Sequence, residues 1–299
     1  MHNSQPSRVL IAGCGDLGCA LAQRLLADGL VVHGLRRSHT TLPDGVQPLC
    51  GDVTQPQTLG QLAAINPDFL VYCVAADAQT DADYRAQYVD GLRNVLQALG
   101  DGVRLRQVLF VSSTRVYGQS GDALLDESTP ALAGDFGGQC LLQAEQLLGQ
   151  LPCPATVLRL SGIYGPGRTR LLEIAGDPER WPRQNAWSNR IHRDDAAAFA
   201  AFLIQRVHAH APVAACYIVS DNCPVPLHEV LAWLAGRAGA PEMESRSRLN
   251  PPFEGVRPRL SPLSRAFGLV GRTAPCATPG SLVAADPGRL LARTFVSGL

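Results

Sequence analysis

No lysine occurs anywhere in this chain: its 26 basic residues run from Arg8 to Arg293, and every one is arginine. A coding bias toward arginine, alanine, glycine and proline accounts for such a pattern. Whatever its origin, it excludes any mechanism that needs a side-chain ammonium. An excess of charge is missing too, since Lys+Arg and Asp+Glu both total 26. No global field therefore draws the chain to nucleic acid, an anionic membrane or an acidic partner, and a small-molecule ligand is expected. There is no charged leader, apolar signal region or unbroken apolar run of about 20 residues, so no membrane association is expected and the cytoplasm is the expected location. The nine cysteines are odd in number and scattered, with no CxxC pair. That argues against a zinc site or a disulfide framework; reduced thiols packed as small hydrophobes are expected, with no metal.

What is present reads as alternating strands and helices. The 299 residues, 46% of them hydrophobic, are enough for a sizeable core. "RVLIAGCGDLGCALAQRLLADG" passes from a short apolar run through a glycine turn to apolar residues at helical spacing, Leu17, Leu21 and Leu25, ending at Gly29. "LVVHGL" (30–35) completes a βαβ unit. Further buried strands are predicted at 69–76, 107–113, 155–161 and 217–221, with helices over 83–99, 139–150 and 227–239. Continuous apolar strands separated by helices predict a Rossmann-like α/β fold, a doubly wound parallel sheet with a small interwoven C-terminal substrate region. Residues 1–167 form the nucleotide-binding part and 168–299 the substrate part, with segments within 186–221 returning to the first. The stretch 240–288, rich in Pro, Arg and Ser, reads as loops and short elements.

Gly13, Gly15 and Gly18 make a GxGxxG between a strand and a helix, with Asp16 and Leu17 opening that helix. Missing side chains there permit a tight turn, close approach to a pyrophosphate and close helix packing, and the helix N-terminus adds partial positive charge. Dinucleotide binding follows. An acidic residue at the end of the second strand would accept from a ribose 2′-hydroxyl, whereas arginine pairs with a 2′-phosphate. The chain has Arg36 and Arg37 and no carboxylate, which favours NADP(H) over NAD(H). Asp52 and Val53 fall at the next strand end, near the adenine, and Ala75 and Ala76 fall near the cofactor.

In order along the chain, the glycine turn, "GDVTQ", "CVAA", "VLFVSSTRVYG", "VLRLSGIYGPGR", "NRIHRDDAA" and "YIVSDNCPVPLHEVLAWLA" resemble the extended short-chain dehydrogenase/reductases, the nucleotide-sugar epimerase and dehydratase group. The resemblance implies that Ser113, four residues before Tyr117, hydrogen-bonds the reacting oxygen, and that a YxxxK pair on the next helix supplies the proton. That pair falls on Phe136 and Cys140, or on Gly137 and Leu141 in the alternative register, and neither contains Tyr or Lys. Tyr88 stands where the family usually has Asn. The match is thus to an atypical subgroup lacking the pair. It implies an NAD(P)-binding oxidoreductase or epimerase-like protein acting on an unidentified small nucleotide-sugar or carbonyl substrate, with a homodimer as a further implication. The alternative is a catalytically silent NADP(H)-binding redox sensor.

The remaining candidates are few. Tyr117 or Tyr164 could serve as acid near the nicotinamide end, if a cation such as Arg115 or Arg159 assisted, though both tyrosines also suit a pocket-shaping role, Tyr164 toward substrate. Arg168 and Arg259 could face an anionic substrate, and Arg159 and Arg190 could do so or form salt links. His192 reads as structural, tying the substrate region to the nucleotide part, with Asp194 or Asp195 capping the following helix. Cys140 has no base partner at a readable spacing. Trp181 and Trp187 bracket a loop that is either a lid or part of a packed core. Replacing Arg36 and Arg37 together by alanine should weaken NADPH binding far more than NADH binding in parallel titrations; equal losses would sink the 2′-phosphate assignment.

Overall fold

The computed structural model describes residues 6–38, 41–100, 104–119, 124–221 and 223–237, and the backbone of Arg257–Pro258. In chain order the strands are β1 (Arg8–Ala12), β2 (Val31–Arg36), β3 (Gln47–Cys50), β4 (Phe69–Tyr72), β5 (Gln107–Ser113), β6 (Leu124–Leu125) and β7 (Ala155–Leu160). They continue as β8 (Gly162–Tyr164), β9 (Trp187–Ser188), β10 (Arg190–His192), β11 (Cys216–Val219), β12 (Val225–Pro226) and β13 (Arg257–Pro258). Seven of them build one sheet in the order β3-β2-β1-β4-β5-β7-β11, every pair parallel. The order reverses between β1 and β4, which opens a crevice at their C-terminal ends. The predicted parallel α/β fold is the observed one. β3, the strand whose end was expected just before Asp52, had no predicted range, because it lies at the sheet edge, is largely exposed and contains Pro48.

The helices are α1 (Asp16–Ala27), α2 (Asp81–Tyr84), α3 (Gly91–Leu99), α4 (Phe136–Leu148), α5 (Arg170–Ala175), α6 (Arg193–His208) and α7 (Leu227–Arg237). Arg85–Asp90 joins α2 to α3 through a π-helical turn, so 81–99 forms one continuous helical rod. Alternation along each strand divides the core into two layers. Val9, Ile11, Phe69 and Val71 pack under α1 and α6, while Leu10, Leu70, Tyr72 and Phe110 pack under the 81–99 rod and α4. None of the described helices is long and apolar enough to cross a membrane.

After β7 the chain leaves the sheet and returns to it as β11. The excursion carries a small satellite core, Ala175, Leu231 and Ala235, against which Trp181 packs. Trp187 lies in β9, paired with β12, and Trp181 follows the short helical turn Pro178–Arg180. α6 is capped differently from expectation: His192 is the N-cap, its Nδ1 accepting from the Asp194 amide at 3.2 Å, and Asp194 and Asp195 occupy the first turn.

Behind β5 and β7 lies a buried ion pair. Glu145 on α4 accepts from Arg159 Nη2 at 2.7 Å and Nε at 3.2 Å, and from the Ser112 hydroxyl at 2.6 Å. The two charged side chains are only 12% and 9% exposed. Removing one partner leaves the other charge uncompensated in a dry environment, so Glu145→Ala should cost about 3–5 kcal/mol in urea unfolding. A loss below about 1 kcal/mol would mean that water reaches the pair.

Candidate functional site

A cavity of about 590 Å³ occupies the crevice at the strand ends, within the size range of small-molecule sites. A second hollow, about 750 Å³, lies at the opposite ends of the strands, around Ser7, Leu30, Asp68 and Arg106. In open parallel sheets ligands bind at the carboxyl ends, which selects the first.

One wall is the glycine turn. The Gly13 and Cys14 amides both donate to the Leu35 carbonyl, at 3.2 and 3.0 Å, and the Gly15 amide donates to Gly13 O at 2.7 Å. Gly13 has φ +86°, and a Cβ there would lie 2.6 Å from the Val74 amide nitrogen. Gly18 packs from behind: its Cβ would meet Gly13 O at 2.8 Å. Gly15 differs, since a Cβ on it would approach nothing closer than 3.9 Å and would project where the cavity begins. α1 starts directly after it without a side-chain cap, leaving amides and a positive dipole end for an anion.

Asp16, the first residue of α1, is held by two distant arginines. Arg168 Nε meets its Oδ2 at 2.8 Å and Arg193 Nη1 its Oδ1 at 2.7 Å. Arg168 lines the cavity with Gly15, Asp16 and Leu17, so it stands beside the glycine turn. At the β2 end, Arg36, Arg37 and Ser38 line the wall with Gly51 and Val53. Arg37 forms a two-pronged ion pair with Asp77, Nη2 to Oδ1 at 2.7 Å, which holds that carboxyl below the usual range. Asp52 turns aside to accept from the Thr54 amide and hydroxyl at 2.9 and 2.8 Å.

The opposite end is walled by Ala75, Ala76, Tyr88, Ser112, Ser113, Leu141 and Leu160. Ser113 Oγ accepts from the Arg115 amide at 3.1 Å. One lone pair is occupied and its proton remains available to a ligand. Tyr117 is not brought here. Its buried hydroxyl receives Arg159 Nη1 at 2.7 Å and donates to the Asp126 carbonyl at 3.3 Å, outside the cavity wall. Tyr164 is likewise outside, packed edge-on against His192 with centroids 5.2 Å apart. Arg259 lies outside the described residues.

On α4, Phe136 stands edge-on to Tyr84, and the Cys140 thiol lies 3.5 Å from Asp81 Oδ1, pushed up by burial and by that carboxylate. The cation beside Phe136 comes from another element. Arg115 lies 5.1 Å over its ring, in the gap left by Gly137, bound to Asp135 at 2.9 Å and donating to the Tyr84 oxygen at 2.6 Å. Sequence reasoning missed Asp77, Gln87 and Tyr88 as wall residues. Asp77, directly after Ala75 and Ala76, was within reach of the same strand-end logic.

These residues fit a dinucleotide: an open glycine cradle at a helix start, arginines at one end, and small and hydroxylated residues at the other. Gly15→Ala should leave the urea midpoint nearly unchanged and weaken dinucleotide binding tenfold or more, about 1.4 kcal/mol. Gly13→Ala should instead unfold the protein more easily, by over about 2 kcal/mol. Reversed effects would show that the cradle is assigned to the wrong glycine.

Comparison with known proteins identifies the family. The model of the NAD dependent epimerase/dehydratase family matches residues 9–212. A Methylobacillus flagellatus structure described as an NAD-dependent epimerase/dehydratase is 49% identical, with TM-score 0.77 over 88% of this chain and 92% of that one. The Bordetella bronchiseptica enzyme WbmG, solved with NAD, shares the fold at 19% identity, with TM-score 0.69 over 90% of both chains. Among curated proteins, the 2-alkyl-3-oxoalkanoate reductase of Stenotrophomonas maltophilia is 28% identical over 87% of this chain and 85% of its own. Escherichia coli YeeZ is 29% identical over 66% and 73%. The chain belongs to the NAD-dependent epimerase/dehydratase family.

Proposed function

We propose that the protein is a nicotinamide-dinucleotide-dependent oxidoreductase that reduces the ketone of a small 3-oxo acid or its ester, with NADP(H) preferred over NAD(H). The observation that carries this reading is the reactive end of the cavity. It offers neutral hydroxyl donors, Ser113 and Tyr88, beside apolar Leu141 and Leu160, surroundings that polarise a carbonyl and tolerate an alkyl chain. The reductase among the relatives acts on 3-oxoalkanoates, which supports the same substrate class. When bound, the cofactor supplies the hydride. Gly13, Gly15 and the start of α1 hold its pyrophosphate, and Ser113 orients the ketone oxygen.

The preference for NADP(H) rests on Arg36 and Arg37. Arg37 is already paired with Asp77, which leaves Arg36 as the first partner for a 2′-phosphate. A silent redox sensor is the weaker reading, because a sensor has no use for a serine hydroxyl presented to the cavity beyond the dinucleotide. Ethyl acetoacetate and 2-alkyl-3-oxo acids should be reduced with NADPH, with kcat/KM at least about tenfold above that with NADH. Tight dinucleotide binding without turnover of any 3-oxo compound would overturn the substrate class and revive the sensor.

A further inference from the structure

The chain needs a proton source that its fourth helix does not carry. Neither register on α4 supplies one: Phe136 and Cys140 lie outside the cavity wall, and of Gly137 and Leu141 only Leu141 lines it, with no proton to give. All six tyrosines lie among the described residues, and only Tyr88 lines the cavity. It does so from the π-helical turn Arg85–Asp90. Such a turn inserts an extra residue and re-aims the side chains around it, and π turns cluster at functional sites. Here the insertion is pinned from the sheet side, since the Tyr72 hydroxyl donates to the Gln87 carbonyl.

The Tyr88 and Ser113 hydroxyls share one wall of the cavity. The Arg115 amide engages one lone pair of Ser113 Oγ and leaves its O–H to donate, while the Ala76 amide near Tyr88 favours the ionised phenol. We propose that Tyr88 is the catalytic proton donor, giving its phenolic proton to the ketone oxygen that Ser113 holds. The proposal rests on the carbonyl-reductase reading above. As hydride from the reduced nicotinamide adds to the carbonyl carbon, the C=O π pair moves to oxygen. The Tyr88 O–H bond breaks, the alcohol O–H forms, and the phenolate recovers a proton from solvent.

The charges around Tyr88 set the direction. Burial pushes it up most, Tyr84 and Asp83 on its own rod add to that, and the Ala76 amide and Arg115 from the 114–116 turn oppose them. Tyr88 therefore stays protonated at neutral pH and serves reduction, while alcohol oxidation, which needs the phenolate, rises as pH increases.

Full-length protein labelled with [ζ-13C]tyrosine, wild type and Tyr88→Phe, tests this by NMR titration against pH with NADP+ and NADPH. A bound oxidised nicotinamide carries positive charge, so one of the six resonances should ionise at lower pH with NADP+ than with NADPH, and Tyr88→Phe should abolish that resonance. With ethyl acetoacetate the same variant should lose about 100-fold or more in kcat, with NADPH affinity changed by less than about threefold. A shift that persists in Tyr88→Phe, or a variant that keeps its kcat, overturns the proposal. A Tyr88 shift without ester turnover supports Tyr88 and fails only the substrate class. Absence of dinucleotide binding overturns both.

Discussion

Everything at this site depends on how closely the turn after β1 lies against the sheet. Gly13 is pressed on the backbone of Cys73 and Val74, 2.6–2.8 Å from where its Cβ would be. The turn is tied on both sides: the Gly13 and Cys14 amides go to the Leu35 carbonyl in β2, and the Cys73 amide goes to Ala12 O at 2.9 Å. A side chain at position 13 would lift the turn away and widen the gap between β1 and β4. The crevice, the start of α1 and the cradle at Gly15 all take their positions from that contact, which is why one left-handed glycine matters more than any charged residue nearby.

The nucleotide half of the site was legible in the sequence because its determinants are local. Gly13, Gly15, Asp16 and Leu17 are consecutive or nearly so, and Arg36, Arg37, Ala75 and Ala76 fall at ends of strands that apolar runs reveal. Of the other half only Ser113 at the end of β5 was reached, and that through the resemblance, because this half is assembled across the chain. Leu141 comes from α4, and Tyr88 reaches the cavity through a π turn inside what periodicity reads as ordinary helix. A 3.6-residue count through 83–99 gives the wrong face after Arg85. Tyr117 and Tyr164 sat in the expected motifs, yet one is taken up by Arg159 and the other packs on His192. Motif position located the strands but not the direction of each side chain.

The lack of lysine shows in how the interior is held together. Arginine's fork replaces it wherever a cation is needed near the sheet: Arg159 against Glu145 and Ser112's partner oxygen, Arg115 against Asp135 and Tyr84, and Arg37 against Asp77. These are multi-pronged contacts that fix orientation as well as charge. A guanidinium, however, does not give up its proton near neutral pH, so it can steer a phenol's ionisation but cannot relay the proton itself. Proton transfer in this chain therefore falls to groups other than its cations.

The same chemistry links the excursion after β7 to the cofactor turn. Asp16 places a carboxylate at the helix start, where an anionic pyrophosphate would gain from the same amides and dipole. Alone, that carboxylate would repel the ligand. Arg168 and Arg193 bring two positive charges to it and Asp194 returns one negative charge through Arg193, so the cluster as a whole is neutral rather than acidic. Arg168 engages Asp16 through Nε, while its fork stands at the cavity wall. The residues that follow β7 are thus anchored at the first turn of α1, so the excursion is positioned by contact with the glycine turn itself.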